Sequence, residues 1–322
     1  MTACNNIIHR LYQGATQWPL IHFQEAALDT VAEIIPFDSA MWGRGGEPPE
    51  AIVDVHLERQ PQQMIDNYMA DFQQEDFLAD AVRSQPGKTV NLVDLMSREA
   101  FEKTRIYREF ACRWGVQQVL STCWAEPMTG LIGMLSLWRQ SPQHPFSERE
   151  RIDLEQLIPH LAEAHRICRI TYMLRLDQAT QKQGQALALC NPRGALIEAE
   201  AAFFKLVTRE WRHWHGTTLP KELLPFLTQG QEYQGATVAI TTQPVGGMLL
   251  VRLRALTVLD TLSEKQRLVA LRYTQGESHR DIAQTFGLSE NTVRNHIATI
   301  FKKCAVNNKS ELTALIMKHR DA

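Results

Sequence analysis

In the run Gly287-Leu288-Ser289-Glu290-Asn291-Thr292-Val293-Arg294-Asn295-His296, one arginine and two asparagines surround an apolar valine. On a helix that turns Val293, Ile297 and Ile300 inward, the outward face carries Asn291, Arg294, Asn295, Ala298 and Lys302. Such side chains can pair with flat polar edges. Arginine fits the O6/N7 edge of guanine, and asparagine the N6/N7 edge of adenine. Ala298 lets the backbone come close or touches a thymine methyl. Lys302, Lys303 and Lys309 suit phosphate oxygens, which position without specifying sequence.

Other reactive residue types form no complete set. His213 and His215 would share a strand face, and His165 and Cys168 a helical face, but two ligands are too few for a structural zinc. The six cysteines, at 4, 112, 123, 168, 190 and 304, contain no CxxC spacing. That pattern argues against a zinc knuckle or a disulfide framework and fits a reducing cytoplasm. A redox-sensing thiol among Cys4, Cys112, Cys123 and Cys190 would need exposure and a lowered pKa, and buried inert thiols are the expectation. No nucleophile elbow, phosphate loop or paired catalytic carboxylates occur, so no enzyme, metal or cofactor is expected.

The elements that must position these residues belong to a chain of 322 residues, 44% hydrophobic and 22% charged. That is the composition of an ordinary globular protein with two or three domains. No apolar run is long enough to span a membrane, and the first residues lack a secretory pattern, so a cytoplasmic protein is expected. Residues 256–322 hold ten Lys and Arg against seven Asp and Glu, a balance of +3 within a chain of net −2. A basic tail on an acidic body points mildly to an anionic partner.

The tail divides into four short helices. Ser263, Ser278 and Ser289 are helix caps, with Gln266 and Asp281 placed to close capping boxes on the first two. Gly276 and Gly287 fall where left-handed residues end helices. Leu268 and Leu271 mark the first stripe, Ile282, Ala283 and Phe286 the second, Val293, Ile297, Ile300 and Phe301 the third, and Leu312, Leu315 and Ile316 the fourth. The second and third helices, joined by Gly287-Leu288, have the layout of a helix-turn-helix.

LSEKQRLVALRYTQGESHRDIAQTFGLSENTVRNHIATIFKKCAVNNKSEL, Leu262 to Leu312, resembles the LuxR-type helix-turn-helix of bacterial transcriptional regulators. It has the LS opening, the G-x-S-x-x-x-IA core, the LS-x-x-TV-[KR]-x-H signature and the closing K-K-x-x-V-x-x-[KR]-x-E-L. The resemblance implies an all-α four-helix domain over 256–322 that binds double-stranded DNA. It puts Thr292 and Arg294 at phosphates or base edges, and Asn295 and Ala298 where members differ and read sequence. Ser278, Ser289, Asn291, Lys302, Lys303 and Lys309 complete the expected DNA-binding set. Gln266 stands where the family usually has Glu, and Ala298 where many relatives have Lys or another polar residue. A homodimer matches two-fold DNA sites, and RNA polymerase is a further expected partner.

Upstream, a long helix is expected over 147–183, capped by Ser147 and kinked or restarted at Pro159. Its apolar positions are Leu154, Leu157/Ile158, Leu161, Ala164, Ile167/Cys168 and Leu174. It connects its own domain and is expected to pair with its counterpart in a dimer. Residues 1–146 read as α+β, with helices near 20–35 and 61–70 and strands at 38–44, 51–57, 117–126 and 130–139. This segment resembles a GAF-type sensor. Trp42, Phe72, Tyr107, Phe110, Trp114, Trp124 and Trp138 are its candidate ligand-lining residues, because ligand pockets are largely apolar and aromatic. The Trp-x-x-x-Tyr pattern of acyl-homoserine-lactone receptors is not cleanly present. Residues 184–255 read as hairpin, helix over 200–211 and hairpin (236–242 and 247–254), resembling a degenerate PAS-like domain.

The expected function is one-component transcription regulation by a small-molecule effector. The competing expectations are a ligand-free interaction module ahead of the same DNA head, and an enzyme with a DNA-binding tail, for which no catalytic set is found.

Overall fold

The computed structural model describes residues 3–46, 52–127, 129–178, 185–214, 216–227 and 232–320. Helices α1 (Ala3–Gln17) and α2 (Phe23–Ala32) lead into strands β1 (Ser39–Gly45) and β2 (Ile52–Glu58). Next come α3 (Gln62–Asp71), α4 (Phe77–Ser84), β3 (Thr89–Asn91), α5 (Leu92–Leu95), α6 (Arg98–Glu102), a π-helical turn (Ile106–Ala111) and α7 (Cys112–Trp114). Strands β4 (Gln118–Ala125) and β5 (Ile132–Arg139) close an antiparallel sheet of order β2-β1-β5-β4-β3. The expected strands and the helices near 20–35 and 61–70 are present. Helix α1, for which periodicity set no bounds, packs Ile7, Leu11 and Ala15 into the core.

Both faces of this sheet are covered. Trp42, Leu120, Leu135 and Leu137 share a core with α1, α2 and the following long helix. Val119 and Trp138 sit among the residues of α3, α5, α6 and the π-turn. Gly133 makes room for an indole, because a Cβ there would lie 2.2 Å from the Trp124 ring.

Helix α8 (Glu148–Gln178) runs for 31 residues without interruption, so Pro159 does not restart it. Ser147 caps it through a bond from Glu150 N (3.3 Å), while Glu150 accepts from Ser147 N (2.7 Å). Leu154, Leu157, Ile158, Leu161, Ala164 and Cys168 are buried against the first sheet's layer. Leu174 departs from the expected stripe: it is 41% exposed, and Met173 is buried in its place, facing the second sheet. Past its first turn, the exposed positions of α8 among the described residues are Gln156, Pro159, Glu163, Leu174 and Arg175. Both sheets use its apolar faces, and among the described residues past the first turn Leu174 is the one exposed large aliphatic side chain on α8.

The second sheet contains β6 (Ala186–Cys190), β7 (Leu196–Ala199), β8 (Tyr233–Gln234), β9 (Val238–Val245) and β10 (Met248–Ala255) in the order β7-β6-β10-β9-β8. Numbered within each sheet, both orders are 2-1-5-4-3. Helix α9 (Ala201–Glu210) covers one face with Phe203 and Val207. The other face meets Met173 of α8, Val53 of β2 and Leu131 just ahead of β5.

Four helices end the chain: α10 (Glu264–Thr274), α11 (His279–Phe286), α12 (Glu290–Cys304) and α13 (Lys309–Arg320). Their core comprises Leu262, Val269, Ala270, Ile282, Ala283, Val293, Ile297, Ile300, Cys304 and Leu312. The expected α10 stripe is corrected, since Leu268 and Leu271 are 44% and 39% exposed while Val269 and Ala270 are buried. Among the described residues no helix is long and apolar enough to cross a membrane.

Candidate nucleic-acid interface and effector cavity

The caps fix the C-terminal helices. Ser263 and Ser278 accept from Gln266 N and Asp281 N, and the side chains of Gln266 and Asp281 accept in return from the serine N–H groups. Each such cap contributes about 0.5–2 kcal/mol. Ser289 accepts from Thr292 N (3.1 Å), and its hydroxyl meets the Thr292 hydroxyl at 2.8 Å. Gly287 (φ 61°) ends α11 in the left-handed region, which turns the chain sharply into α12.

On α12 the buried stripe is Val293, Ile297 and Ile300, as the spacing implies. Asn291, Arg294, Asn295, Ala298 and Lys302 are exposed on the opposite side. The side chains of Asn291, Arg294, Asn295 and Lys302 make no hydrogen bond or ion pair to other described residues. The remaining members of the expected set are engaged within the domain. Ser278, Ser289 and Thr292 are occupied in caps. Lys303 Nζ donates to Thr261 O (2.8 Å) and Gln266 Oε1 (2.9 Å), which ties α12 to α10 and to the turn before it. Lys309 Nζ lies 5.1 Å from the Tyr273 ring centroid. Gln266 thus keeps as a hydrogen bond what a glutamate would make a salt bridge.

The approach to this domain is also held. Asp260 closes a capping box with Thr257 and accepts two bonds from the Arg254 guanidinium at the end of β10, both 2.9 Å. Burial alone would raise the Asp260 carboxyl, but the bonds from Arg254 and Thr257 outweigh it and hold the group below the usual aspartate range.

A second site lies on the other face of the first sheet. Two adjoining cavities, of about 120 and 220 Å³, share Met41, Ile65, Tyr68 and Met134 in their walls. The smaller one adds Asp76, Phe110, Ser121, Ser136 and Trp138, and the larger one Gly43, Arg44, Gly45 and Arg83. Asp76 caps α4 with Oδ1, accepting from Leu78 N and Ala79 N at 3.0 Å, and accepts from the Tyr68 hydroxyl at 2.8 Å on Oδ2. Burial pushes both groups up, and the Asp76 charge pushes Tyr68 further.

Of the seven aromatics expected to line a cavity, Phe110 and Trp138 do so. Phe72, Tyr107 and Trp114 pack in the layer behind them. Trp42 and Trp124 are corrected: strand alternation puts them on the opposite face, their rings edge-on at 6.4 Å, with Trp42 also against Phe23 and His165. Both faces of this sheet are apolar, so hydrophobicity alone does not separate them. The polar anchors Tyr68 and Asp76 were missed. A local signal for Asp76 does exist, since an aspartate directly ahead of the run that opens α4 is a helix cap.

His165 is buried, and burial followed by the Arg169 and Arg44 charges holds it neutral, well below its ordinary range. Among the described residues no group of three potential metal ligands occurs. His213 lies beside an open surface groove, and His215 is outside the described residues. All six cysteines are free thiols and only Cys112 is exposed. Burial raises Cys168 to about 11 and Cys190 to about 12.

A capped helix pair that displays an unpaired polar face defines a helix-turn-helix domain. Residues 260–316 match the family described as bacterial regulatory proteins, luxR family, so the C-terminal domain is a helix-turn-helix of that family. The glycerol metabolism activator of Pseudomonas putida is 40% identical over 52 residues, which are 16% of this chain and 24% of the relative. The chain therefore spans about a quarter of the length of that curated relative. Three solved structures are similar at low identity. The LBD domain of VqsR from Pseudomonas aeruginosa shares 21% identity and a TM-score of 0.39, covering 53% of this chain and 99% of that one. An N-acylhomoserine lactone dependent LuxR family transcription factor from Burkholderia cenocepacia shares 19% and 0.37, covering 51% and 93%. SdiA from Escherichia coli shares 13% and 0.36, covering 95% and 94%.

Proposed function

We propose that this protein is a transcription regulator that reads promoter DNA as a homodimer through α12 and is controlled by a small molecule in the cavities beneath the first sheet. The observation that carries the DNA reading is the outward face of α12, where Asn291, Arg294 and Asn295 project with no partner among the described residues while their neighbours are locked in caps. Side chains left unpaired on a rigid helix suit base edges in the major groove. Lys302 sits where it would meet a phosphate.

The sensor reading rests on the cavities. Each is smaller than the roughly 300–1,000 Å³ of most ligand sites, but both are bounded by Met41 and Met134, flexible side chains that can repack around an occupant. The Asp76 carboxylate retains lone pairs toward the smaller cavity and would accept from a donor on an otherwise apolar ligand. Residues 1–146 then form a GAF-like sensor, 147–183 the connector, 184–255 a PAS-like relay and 256–322 the DNA-binding domain. The common strand order of the two sheets supports related designs for the two sensor-type units.

The test is selection of duplexes from a random library by full-length protein, alongside Arg294→Ala. A two-fold motif enriched by the parent and lost or relaxed in the variant is expected. Equal enrichment by both proteins, or no motif at all, would overturn the assignment of α12. Native mass spectrometry of the same preparation reports dimer and bound effector together.

A further inference from the structure

We infer that Arg44 couples the larger cavity to the second sheet, so that occupancy of the cavity is felt at β7. This inference rests on the reading of that cavity as the effector site. The wall there is nearly bare backbone: Gly43, Arg44, Gly45 and Gly46 all line it. The pairing of β1 with β2 shifts register between Arg44 and Gly45, so the strand is already irregular at that point. An occupant pressing on this segment meets main chain with little side chain to cushion it.

The Arg44 side chain leaves on the face of Trp42, away from the cavity, and is buried. Its guanidinium holds Asp54 of β2, reaches Glu126 after β4 at 3.2 Å, and donates to Ile197 O of β7 at 3.0 Å. Glu126 is shared with Arg169 of α8 (3.2 Å), which in turn holds Glu198 of β7 at 3.2 Å. Two consecutive residues of β7 are thus gripped, one from β1 and one from α8. Burial would lower Arg44, but the Asp54 and Glu126 carboxylates outweigh it and keep the charge in place.

Adhesion alone does not require these charges. Val53, Leu131, Met173, Leu187, Leu189 and Leu250 already form an apolar joint around them, and a buried ion pair adds little to stability beyond what apolar residues would give. What it adds is direction, since the bonds are satisfied in one placement of β7 and broken in others. The set is also not closed, because Arg169 Nη1 is buried with no partner among the described residues. We take a shifted β7 that engages this donor as the second of the two placements a switch needs.

The test needs no ligand. Met134→Trp, in the shared wall, fills the cavities permanently in the full-length protein. Hydrogen exchange across β6 and β7 is then compared in the parent, Met134→Trp, Arg44→Lys and the double variant. Lysine keeps the charge but cannot serve Asp54, Glu126 and Ile197 O together. The expected result is a change of at least about threefold in β6–β7 exchange with Met134→Trp, absent when Arg44→Lys is also present. No change with Met134→Trp, or the same change in both backgrounds, overturns the coupling. Should Arg44→Lys fail to fold, Asp54→Asn takes its place and must at least halve the response. Binding of the apolar fluorophore N-phenyl-1-naphthylamine, abolished by Met134→Trp, tests the cavity separately. A fluorophore that never binds sinks the effector reading even where the exchange result stands.

Discussion

Arg294 and Asn295 have no partners among the described residues, whereas Lys303 has two, and this difference separates their mutational signatures. Arg294→Ala or Asn295→Ala should cost about 1–3 kcal/mol of specific binding per lost paired contact and leave folding stability unchanged. Lys302→Ala should weaken binding evenly across sequences and reduce the salt slope by about 1. Lys303→Ala should lower the melting temperature as well, because it unties α12 from Thr261 and Gln266. Gln266→Glu should raise stability by about 0.2–1 kcal/mol, the range for an exposed pair; salt-dependent thermal melts check it. The serine caps and the outward face of α12 were legible in the sequence because their signals are local. The cavity was not. The candidate tryptophans Trp42, Trp124 and Trp138 lie in strands apolar on both faces, and which face lines the cavity depends on where α8 packs, an element far along the chain from Trp42.

At the scale of elements, α12 ends on Ala305 in the left-handed region (φ 52°). Val306 N donates to Phe301 O at 3.0 Å, which completes the terminal turn. A residue with a Cβ is strained there, so Ala305→Gly should stabilise the domain by about 0.5–1 kcal/mol, measured by denaturant unfolding, against the entropy glycine adds to the unfolded chain. In α10 the leucines misled the sequence reading. With Leu268 and Leu271 outside and Val269 and Ala270 inside, hydrophobicity is present on both faces, and an exposed leucine is common on protein surfaces. Of the two outcomes expected at Pro159, a restart does not occur: α8 continues through it, with its apolar residues on either side committed to the sheets.

At the scale of the molecule, the second sheet is clasped to the first by the Arg44 and Arg169 cluster and to the DNA-binding domain by the Arg254–Asp260 fork. Asp260 is held below its ordinary range, so its contribution to stability is complete at neutral pH and is lost as the pH falls below about 4. Melts of Asp260→Asn should therefore converge with those of the parent in acid. The family of the C-terminal domain could be read from its motifs, whereas the ionic cluster could not, since its members come from β1, β2, the turn after β4, α8 and β7. The first and last strands of the second sheet are neighbours, with Ala186 paired to Leu253. The chain therefore enters and leaves this unit at almost the same place. Topologically it is a detour: residues 186–255 could be cut out and the ends rejoined by a short linker, leaving the order of α8 and the helix-turn-helix domain unchanged.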